Sequence, residues 1–209
     1  MNTSDLMQRI DTTVPAIPGW CELEKAHALA AAVLTLRPKL CVEIGVFGGR
    51  SLLPVAMACQ AVGAGVIVGI DPWSAEAATE GYDGANAEWW GGKHPGSPNL
   101  EQIYQGFLRT VAELGVGAHV EVWRKKSDDV NPPGAIDLLS SDGQHTEQAV
   151  RDIKRFAPRI RMGGLCFVDD ITWTNNGVAH VERSVDELIK LGFTELYKIG
   201  TGAVFQRVR

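Results

Sequence analysis

The chain has 209 residues and a formal net charge of −5, with 45% hydrophobic and 22% charged residues. This is the composition of an ordinary globular protein with one sizeable core. The acidic balance excludes a basic nucleic-acid surface, and the longest apolar stretch, residues 28–36, is too short to cross a bilayer. Because the first residues do not resemble a secretory signal, we expect a cytoplasmic protein that binds neither nucleic acid nor membrane.

The first third of the sequence starts irregularly and then alternates between helix and strand patterns. Residues 1–20 hold Pro15, Pro18 and Trp20, which predict an irregular N-terminal arm. Further along, stretches rich in Ala, Leu, Glu and Lys favour helices, and short β-branched runs favour buried parallel strands. The expected order is helix 21–36, strand 39–46, helix 48–63 and strand 65–71.

Residues 72–100 interrupt this alternation. The segment holds Trp73, Trp89 and Trp90, several glycines and little hydrophobic periodicity. Long segments without regular structure in a compact protein are usually functional or disordered. We therefore expect a lid-like insertion at residues 72–100, whose tryptophans either stack on a substrate ring or pack against the protein.

The second half returns to the alternating pattern and closes with a hairpin. The expected order is helix 100–114, strand 119–127, strand 136–142, helix 146–160, strand 163–170, helix 180–192 and a hairpin of strands 193–199 and 203–208. Strands separated by helices form parallel sheets with right-handed crossovers. The sequence predicts an α/β fold, a single domain over residues 1–209, with a doubly wound, mostly parallel seven-stranded sheet and an antiparallel C-terminal hairpin.

A glycine turn follows the first strand, in the sequence VEIGVFGGRS at residues 42–51. Such a turn before a helix lets a ligand approach the backbone, and the helix start favours an anionic group. The dinucleotide spacing Gly-x-Gly-x-x-Gly is broken, and Phe47 would stand where a pyrophosphate needs room. The carboxylate of Glu43 and the hydroxyl of Ser51 instead suit the ammonium and carboxylate groups of an amino acid. A buried, hydrogen-bonded acid is the alternative explanation of Glu43.

Acidic residues also end the fourth and fifth strands. Asp142 is followed by His145, and Asp169 and Asp170 end the next strand. Neighbouring parallel strands bring these ends to one edge of the sheet. Three crowded carboxylates repel one another unless a cation joins them, and carboxylate oxygens favour Mg²⁺, Mn²⁺ or Ca²⁺. A helix cap and an Asp-Gly turn are the alternative explanation.

The motif Glu-x-Gly-x-x-x-Gly-x-Ser resembles that of class I S-adenosylmethionine-dependent methyltransferases. Within that class it looks like the metal-dependent O-methyltransferases of the catechol, macrolide-sugar and aminocoumarin type. The resemblance implies a Rossmann-like methyltransferase fold with S-adenosylmethionine as cofactor, in which Asp71 binds the ribose hydroxyls and Ser127 faces the adenine. The expected cofactor-binding residues are Glu43, Gly45, Phe47, Gly49, Ser51, Asp71 and Ser127.

The same resemblance implies a metal centre and a general base. Asp142, Asp169 and Asp170 match the metal ligands of these enzymes, so Mg²⁺, or Mn²⁺ or Ca²⁺ in its place, is the expected second cofactor. Asp142 and His145 are the expected catalytic residues. His145 would take the proton of the acceptor hydroxyl, because an imidazole titrates near neutral pH.

The predicted function is a divalent-metal-dependent methyl transfer to a hydroxyl of a small molecule, such as a sugar, a cyclitol or a catechol-like diol. Two alternatives stay open: an NAD(P)-dependent oxidoreductase on the same sheet, and a non-catalytic module that binds S-adenosylmethionine. The broken dinucleotide spacing disfavours the first, and the retained acids disfavour the second. If the chain forms a homo-oligomer, the N-terminal arm is the expected contact.

Overall fold

A computed structural model describes all 209 residues, and its centre is a seven-stranded sheet. The strands are β1 (Leu40–Ile44), β2 (Val66–Ile70), β3 (Val120–Trp123), β4 (Ile136–Ser141), β5 (Ile160–Val168), β6 (Phe193–Ile199) and β7 (Gly202–Arg207). Their order is β3-β2-β1-β4-β5-β7-β6. β7 pairs antiparallel with β5 and β6, and all other pairs are parallel. The predicted doubly wound sheet with an antiparallel C-terminal hairpin is confirmed.

The chain has eight α-helices, two before β1 and six between later strands. They are α1 (Thr3–Thr13), α2 (Leu23–Leu36), α3 (Leu52–Val62), α4 (Ala75–Thr79), α5 (Gly84–Trp90), α6 (Leu100–Glu113), α7 (Glu147–Phe156) and α8 (His180–Lys190). None of these helices combines the length and the apolar character that crossing a membrane requires.

The sheet separates two apolar cores, because successive side chains of a strand point to opposite faces. Cys41 of β1 and Leu138 of β4 belong to the core that contains α1, α2, α3 and α6 residues. Val42 and Leu139, one position further along each strand, belong to the core that contains α7 and α8 residues. With both faces covered, the central strands are apolar almost throughout. Glu43 in β1 is therefore an exception that needs a reason.

The N-terminal segment is largely helical, so the predicted irregular arm over residues 1–20 is wrong. α1 begins after Asn2, whose side-chain oxygen accepts a hydrogen bond from the backbone N–H of Asp5 at 2.9 Å. Leu6 and Ile10 are fully buried, and α1 packs against α2 and α3. Apolar side chains four residues apart are a helical pattern. The buried side chains of α1 thus share one core with those of α2.

The insertion at residues 72–100 contains two short helices, α4 and α5, where the sequence predicted little regular structure. Trp73 is 3% exposed, and its ring stacks on that of Phe107 with centroids 5.7 Å apart. Of the two predicted roles for this tryptophan, packing is the observed one. Between residues 74 and 99 only Ala77 is buried, so the rest of the insertion lies on the surface.

Candidate active site

A cavity of about 700 Å³ opens at the carboxyl ends of β1, β2, β4 and β5. Open α/β sheets bind their ligands at this edge. Most of the residues predicted from the sequence line the cavity, namely Gly45, Phe47, Ser51, Asp71, Ser127, Asp142, His145, Asp169 and Asp170. Glu43 and Gly49 are not among the lining residues. The structure thus brings the glycine turn and the acidic strand ends to one space.

The two glycines of the motif are required by close contacts. Gly45 has a φ of +83°, and a Cβ atom there would lie 2.1 Å from the backbone oxygen of Asp142. The glycine turn therefore touches the loop that carries Asp142 and His145. Gly49 has a φ of +84°, and a Cβ atom there would lie 2.6 Å from the ring of Phe107. Gly49 thus makes room for α6, and its predicted contact with a cofactor is not tested by this arrangement.

Glu43 and Ser51 contact each other beneath the glycine turn. The Ser51 hydroxyl donates a hydrogen bond to Glu43 Oε1 at 2.9 Å. Glu43 is fully buried, and its Oε2 has no hydrogen-bond partner. Burial, together with the negative charge of Asp142, raises the pKa of Glu43 to about 8. The buried-acid explanation accounts for Oε1, whereas Oε2 has no hydrogen-bond partner, although the nearby Ser140 hydroxyl moderates the rise in the pKa of Glu43.

Asp71, at the end of β2, holds the glycine turn in place. Its Oδ2 accepts hydrogen bonds from the backbone N–H groups of Val46 at 2.9 Å and Phe47 at 3.0 Å, and its Oδ1 accepts one from Trp73 at 2.7 Å. Burial raises the pKa of Asp71, and these backbone donors partly counteract the rise. A carboxylate offers about two acceptor sites per oxygen, so only Oδ1 retains a free one. Two ribose hydroxyls would have to share it.

Ser127 belongs to a small polar network on the cavity wall. Gln148 Nε2 donates hydrogen bonds to Ser127 Oγ at 3.1 Å and to Asp152 Oδ1 at 2.9 Å. Asp152 is buried, and burial raises its pKa to about 6. The sequence prediction missed Gln148 and Asp152, although their spacing of four residues places them on one face of α7.

Lys25, near the start of α2, lies between the acids of the two strand ends. Its Nζ donates hydrogen bonds to Asp142 Oδ2 at 2.9 Å and to Asp169 Oδ2 at 2.5 Å. The Lys25 side chain is 8% exposed. Burial would lower the pKa of Lys25, but the charges of Asp142 and Asp169 outweigh burial and raise it, so the ammonium stays protonated. Burial raises the pKa of Asp142 to about 7 despite this ammonium.

His145 and Asp170 face each other on the other side of the cavity rim. His145 Nε2 lies 3.3 Å from Asp170 Oδ2 but has no hydrogen-bond partner. The backbone N–H of His145 donates to the Tyr82 hydroxyl at 2.9 Å, and its ring lies 5.0 Å from that of Trp173. Burial lowers the pKa of His145 against the opposing effect of Asp170 and Asp169. The imidazole is therefore neutral at pH 7 and has a free nitrogen.

The predicted metal triad of Asp142, Asp169 and Asp170 is not formed. No group of three His, Cys, Asp or Glu side chains in the chain is arranged to hold a metal ion. Lys25 Nζ contacts one oxygen of Asp142 and one of Asp169, where the ion would have to lie, and Asp170 faces His145. An ammonium group and a divalent cation cannot share one position. These residues as arranged therefore do not fit Mg²⁺, Mn²⁺ or Ca²⁺.

Aromatic rings surround the mouth of the cavity. Trp20 is 67% exposed, and its ring centroid lies 5.0 Å from that of Phe47 and 6.3 Å from that of Trp90. Trp89 lies 4.7 Å from Trp90 in an edge-to-face arrangement. Trp20, Phe47 and Trp90 all line the cavity. These four residues, the aromatic mouth, come from three distant parts of the chain.

Lys25 and Trp20 are the functional candidates that sequence reasoning missed. Lys25 shares the buried face of α2 with Leu29 and Val33 at a spacing of four residues. A lysine on an apolar helix face needs a buried acidic partner. The position of Lys25 on that face could therefore have predicted its contact with buried acids. Trp20 gave no such signal, because its partners are distant in sequence.

The sheet order, the glycine turn after β1 and the polar ends of β4 and β5 define a Rossmann-like methyltransferase fold. Residues 42–171, more than half of the chain, match the family described as a methyltransferase domain, and the chain belongs to this family. The resemblance to methyltransferases inferred from the motifs is thereby confirmed. No curated protein matches the sequence closely enough to count as a relative.

Solved structures share the fold at low sequence identity. The O-methyltransferase NovP matches with a TM-score of 0.71 and 16% identity, over 99% of this chain and 98% of that chain. The methyltransferase PaMTH1 from Podospora anserina, bound to S-adenosylhomocysteine, matches with a TM-score of 0.66 and 14% identity, over 100% of this chain and 89% of that chain. The O-methyltransferase TomG from Streptomyces achromogenes matches with a TM-score of 0.60 and 15% identity, over 99% of this chain and 91% of that chain. TomG is involved in tomaymycin synthesis and was solved with S-adenosylmethionine.

Proposed function

We propose that this protein transfers a methyl group from S-adenosylmethionine to a hydroxyl group of a small molecule. The observation that carries the proposal is the shared cavity, which joins the glycine turn after β1 to His145 and Asp142 after β4. The first feature suits a cofactor, and the second suits proton transfer. Structural neighbours that are named O-methyltransferases support the choice of an oxygen acceptor.

The cofactor's amino-acid end is assigned to the floor of the glycine turn. The unpartnered Glu43 Oε2 is matched by an ammonium group, and Ser51 lies beside it. Asp71 orders the turn through the N–H groups of Val46 and Phe47, and its Oδ1 accepts from the ribose. Two structural neighbours were solved with this cofactor or its demethylated product, TomG with S-adenosylmethionine and PaMTH1 with S-adenosylhomocysteine. Ser127 is assigned to the adenine end.

His145 is the group that takes the acceptor's proton. Bound S-adenosylmethionine supplies an electrophilic methyl group on a positively charged sulfur. His145 lines the cavity, its Nε2 has no hydrogen-bond partner, and burial lowers the pKa of the imidazole, so it can accept a proton from the acceptor hydroxyl. Asp170, 3.3 Å away, stabilises the imidazolium that forms. Asp142 acts through Lys25 and through the loop that it anchors against Gly45.

The lining of the cavity suits an acceptor that carries a ring. A sugar, a cyclitol or a catechol-like diol carries the required hydroxyl, and the aromatic mouth offers surfaces on which a ring can stack. The divalent metal that the motifs predict would have to displace Lys25 from Asp142 and Asp169. No step of the reaction is assigned to it.

The test combines a binding measurement with a turnover measurement. Calorimetry should show one S-adenosylhomocysteine bound per chain, and a screen of hydroxylated acceptors with S-adenosylmethionine should yield a methylated product. His145→Ala should reduce kcat by about 10²–10⁴-fold and keep the affinity for S-adenosylhomocysteine, because a general base contributes that much to rate. The matched control is His94→Ala, since His94 is exposed and does not line the cavity.

Each failure of this test has a distinct meaning. If S-adenosylhomocysteine binds but no acceptor is methylated, the protein is a non-catalytic binding module and not an enzyme. If NADH binds saturably and S-adenosylhomocysteine does not bind, the methyltransferase assignment is wrong and the oxidoreductase assignment takes its place. An active His145→Ala variant would remove His145 from the proton transfer.

A further inference from the structure

Lys25 occupies the position in which two acidic strand ends converge. Its Nζ bridges Asp142 Oδ2 and Asp169 Oδ2, and its side chain is almost fully buried. An ammonium group has three N–H donors, and these two carboxylates use two of them. No acceptor in the protein takes the third, and Lys25 lines the cavity. The third N–H is therefore available to a ligand.

We propose that Lys25 does the work of a divalent cation at this site, so that methyl transfer needs no metal ion. In this assignment, which rests on the proposed function, Lys25 neutralises Asp142 and Asp169 and donates its third N–H to the acceptor oxygen. Lys25 is then a catalytic residue supplied by α2.

The charges and directions of the surrounding groups agree with a single ammonium. Two carboxylates accept from Nζ, and the third, Asp170, lies beside His145. Asp170 has a φ of +51°, a left-handed backbone conformation, and its carboxylate lies near His145 whereas that of Asp169 contacts Lys25. Mg²⁺ demands near-octahedral oxygen ligands at about 2.0–2.1 Å. Two carboxylate oxygens already bound to one Nζ do not provide that set.

The atoms and electrons of the methyl-transfer step balance without a metal ion. The acceptor oxygen forms its bond to the methyl carbon as the C–S bond of the sulfonium breaks, and the electron pair of that bond stays on sulfur. The hydroxyl proton goes to His145 Nε2. The N–H of Lys25 stabilises the negative charge that develops on the acceptor oxygen, as a preorganised donor does in a site shielded from water.

The chemical class of the acceptor follows from this assignment. A metal ion favours vicinal diols because it chelates two oxygens, whereas one N–H contacts one oxygen. A single positive charge also activates a hydroxyl less than a divalent ion does. A phenol, whose hydroxyl has a pKa of about 10 like that of tyrosine, suits this site better than an aliphatic alcohol. The cavity-lining residues of the aromatic mouth, Trp20, Phe47 and Trp90, can stack on its ring.

The first experiment uses the wild-type protein. A Mn²⁺ titration followed by electron paramagnetic resonance should show no stoichiometric binding, and turnover of a monophenol should be unchanged by excess EDTA. One Mn²⁺ bound per chain, together with turnover that EDTA abolishes and Mg²⁺ restores, would overturn the proposal.

The second experiment removes the ammonium. Lys25→Ala leaves Asp142 and Asp169 without a counter-ion, so this variant should bind one Mn²⁺ per chain and should be stabilised by it in thermal unfolding. The double variant Lys25→Ala/Asp169→Asn should lose the site again. Lys125→Ala is the matched control, since it removes the same charge from an exposed position without side-chain partners. A correctly folded Lys25→Ala that binds no Mn²⁺ would show that this is not a cation position.

The third experiment measures the catalytic contribution. Lys25→Met keeps the length of the side chain and removes its charge, and it should lower kcat about 10²–10³-fold, as the loss of one oxyanion donor does. Its affinity for S-adenosylhomocysteine should not change. Full activity of Lys25→Met would refute the catalytic role. If the wild type methylates no acceptor at all, the proposed function fails, while the Mn²⁺ titrations still decide the role of Lys25 as the cation.

Discussion

Glu43 is the residue at which burial and charge conflict most strongly. It lies inside β1, between two apolar cores, and only its Oε1 has a partner, the hydroxyl of Ser51. Ser140, its register neighbour on β4, also has a buried hydroxyl without a hydrogen bond. Burial favours the neutral carboxylic acid, which raises the pKa of Glu43 from the ordinary 4.5 to about 8. In the absence of a cationic ligand, ionising this group costs stability.

We expect Glu43→Gln to be more stable than the wild type at pH 8. Between pH 4.5 and about 8 the folded state holds a proton that the unfolded state has lost, so the stability contributed by Glu43 falls as the pH rises. The slope is at most about 1.4 kcal/mol per pH unit. Glutamine does not ionise, still accepts from Ser51, and can donate to Ser140.

The measurement is urea unfolding of both proteins at pH 5, 6, 7 and 8. The stability difference in favour of Glu43→Gln should grow through this range. A difference that is constant with pH would show that Glu43 has the same pKa in the folded and unfolded states.

At the residue scale, the sequence predicted the acids and the histidine but missed their counter-ion. The apolar character of β4 and β5 shows in the sequence where each strand ends. The residues that follow these ends are Asp142, His145, Asp169 and Asp170. Lys25 lies more than a hundred residues away in sequence and enters the site because α2 shares an apolar core with side chains of β4 and β5. A metal was predicted because the crowded acids need a positive charge beside them. The structure does place a positive charge there, but it is the ammonium group of Lys25.

At the element scale, α1 decides how firmly α2 is held. Leu6 and Ile10 are fully buried in the core that also contains Leu29 and Val33 of α2. α2 in turn carries Lys25 to the acidic strand ends. α1 does not line the cavity, so its role is to support the helix that does.

Ile10→Ala should destabilise the protein by about 2–5 kcal/mol, because it leaves a cavity in a closely packed core. For a chain of this size, that corresponds to a lower Tm by about 2–4 °C per kcal/mol. The folded variant should keep the wild-type affinity for S-adenosylhomocysteine. Gln8→Ala, on the exposed side of α1, is the control and should change stability by less than about 0.5 kcal/mol. A neutral Ile10→Ala would mean that α1 is not packed on α2 in solution.

The elements differed in how well the sequence could predict them. Buried parallel strands such as β2 and β4 are continuous apolar runs between polar loops, and both were placed within two residues of their observed bounds. α1 was missed because its apolar side chains, Leu6 and Ile10, are few and prolines follow closely. α4 and α5 bury almost nothing, so they left no periodic signal.

At the scale of the whole molecule, the cavity is closed by segments that are far apart in the chain. The N-terminal segment contributes Trp20 and Lys25, and the insertion contributes Tyr82 and Trp90. The insertion is joined to the sheet edge by a few polar contacts, among them the hydrogen bond from Gln144 Nε2 to the backbone oxygen of Ala77 at 2.7 Å. Segments with few buried apolar contacts open locally at low free energy.

We therefore expect the backbone amides of residues 75–97 to exchange hydrogen fastest among the helical and loop segments around the cavity, and to slow when S-adenosylhomocysteine binds. Ligand contacts with the cavity wall at Ala78 and Tyr82 add to a segment that otherwise buries only Ala77. Exchange measured by mass spectrometry, with and without saturating ligand, tests this directly. α3 is the internal control, because its residues from Leu52 to Cys59 are already buried and should exchange slowly in both states. Equal exchange of residues 75–97 in the two states would show that the insertion is a fixed wall, and the substrate would then have to enter past Trp20.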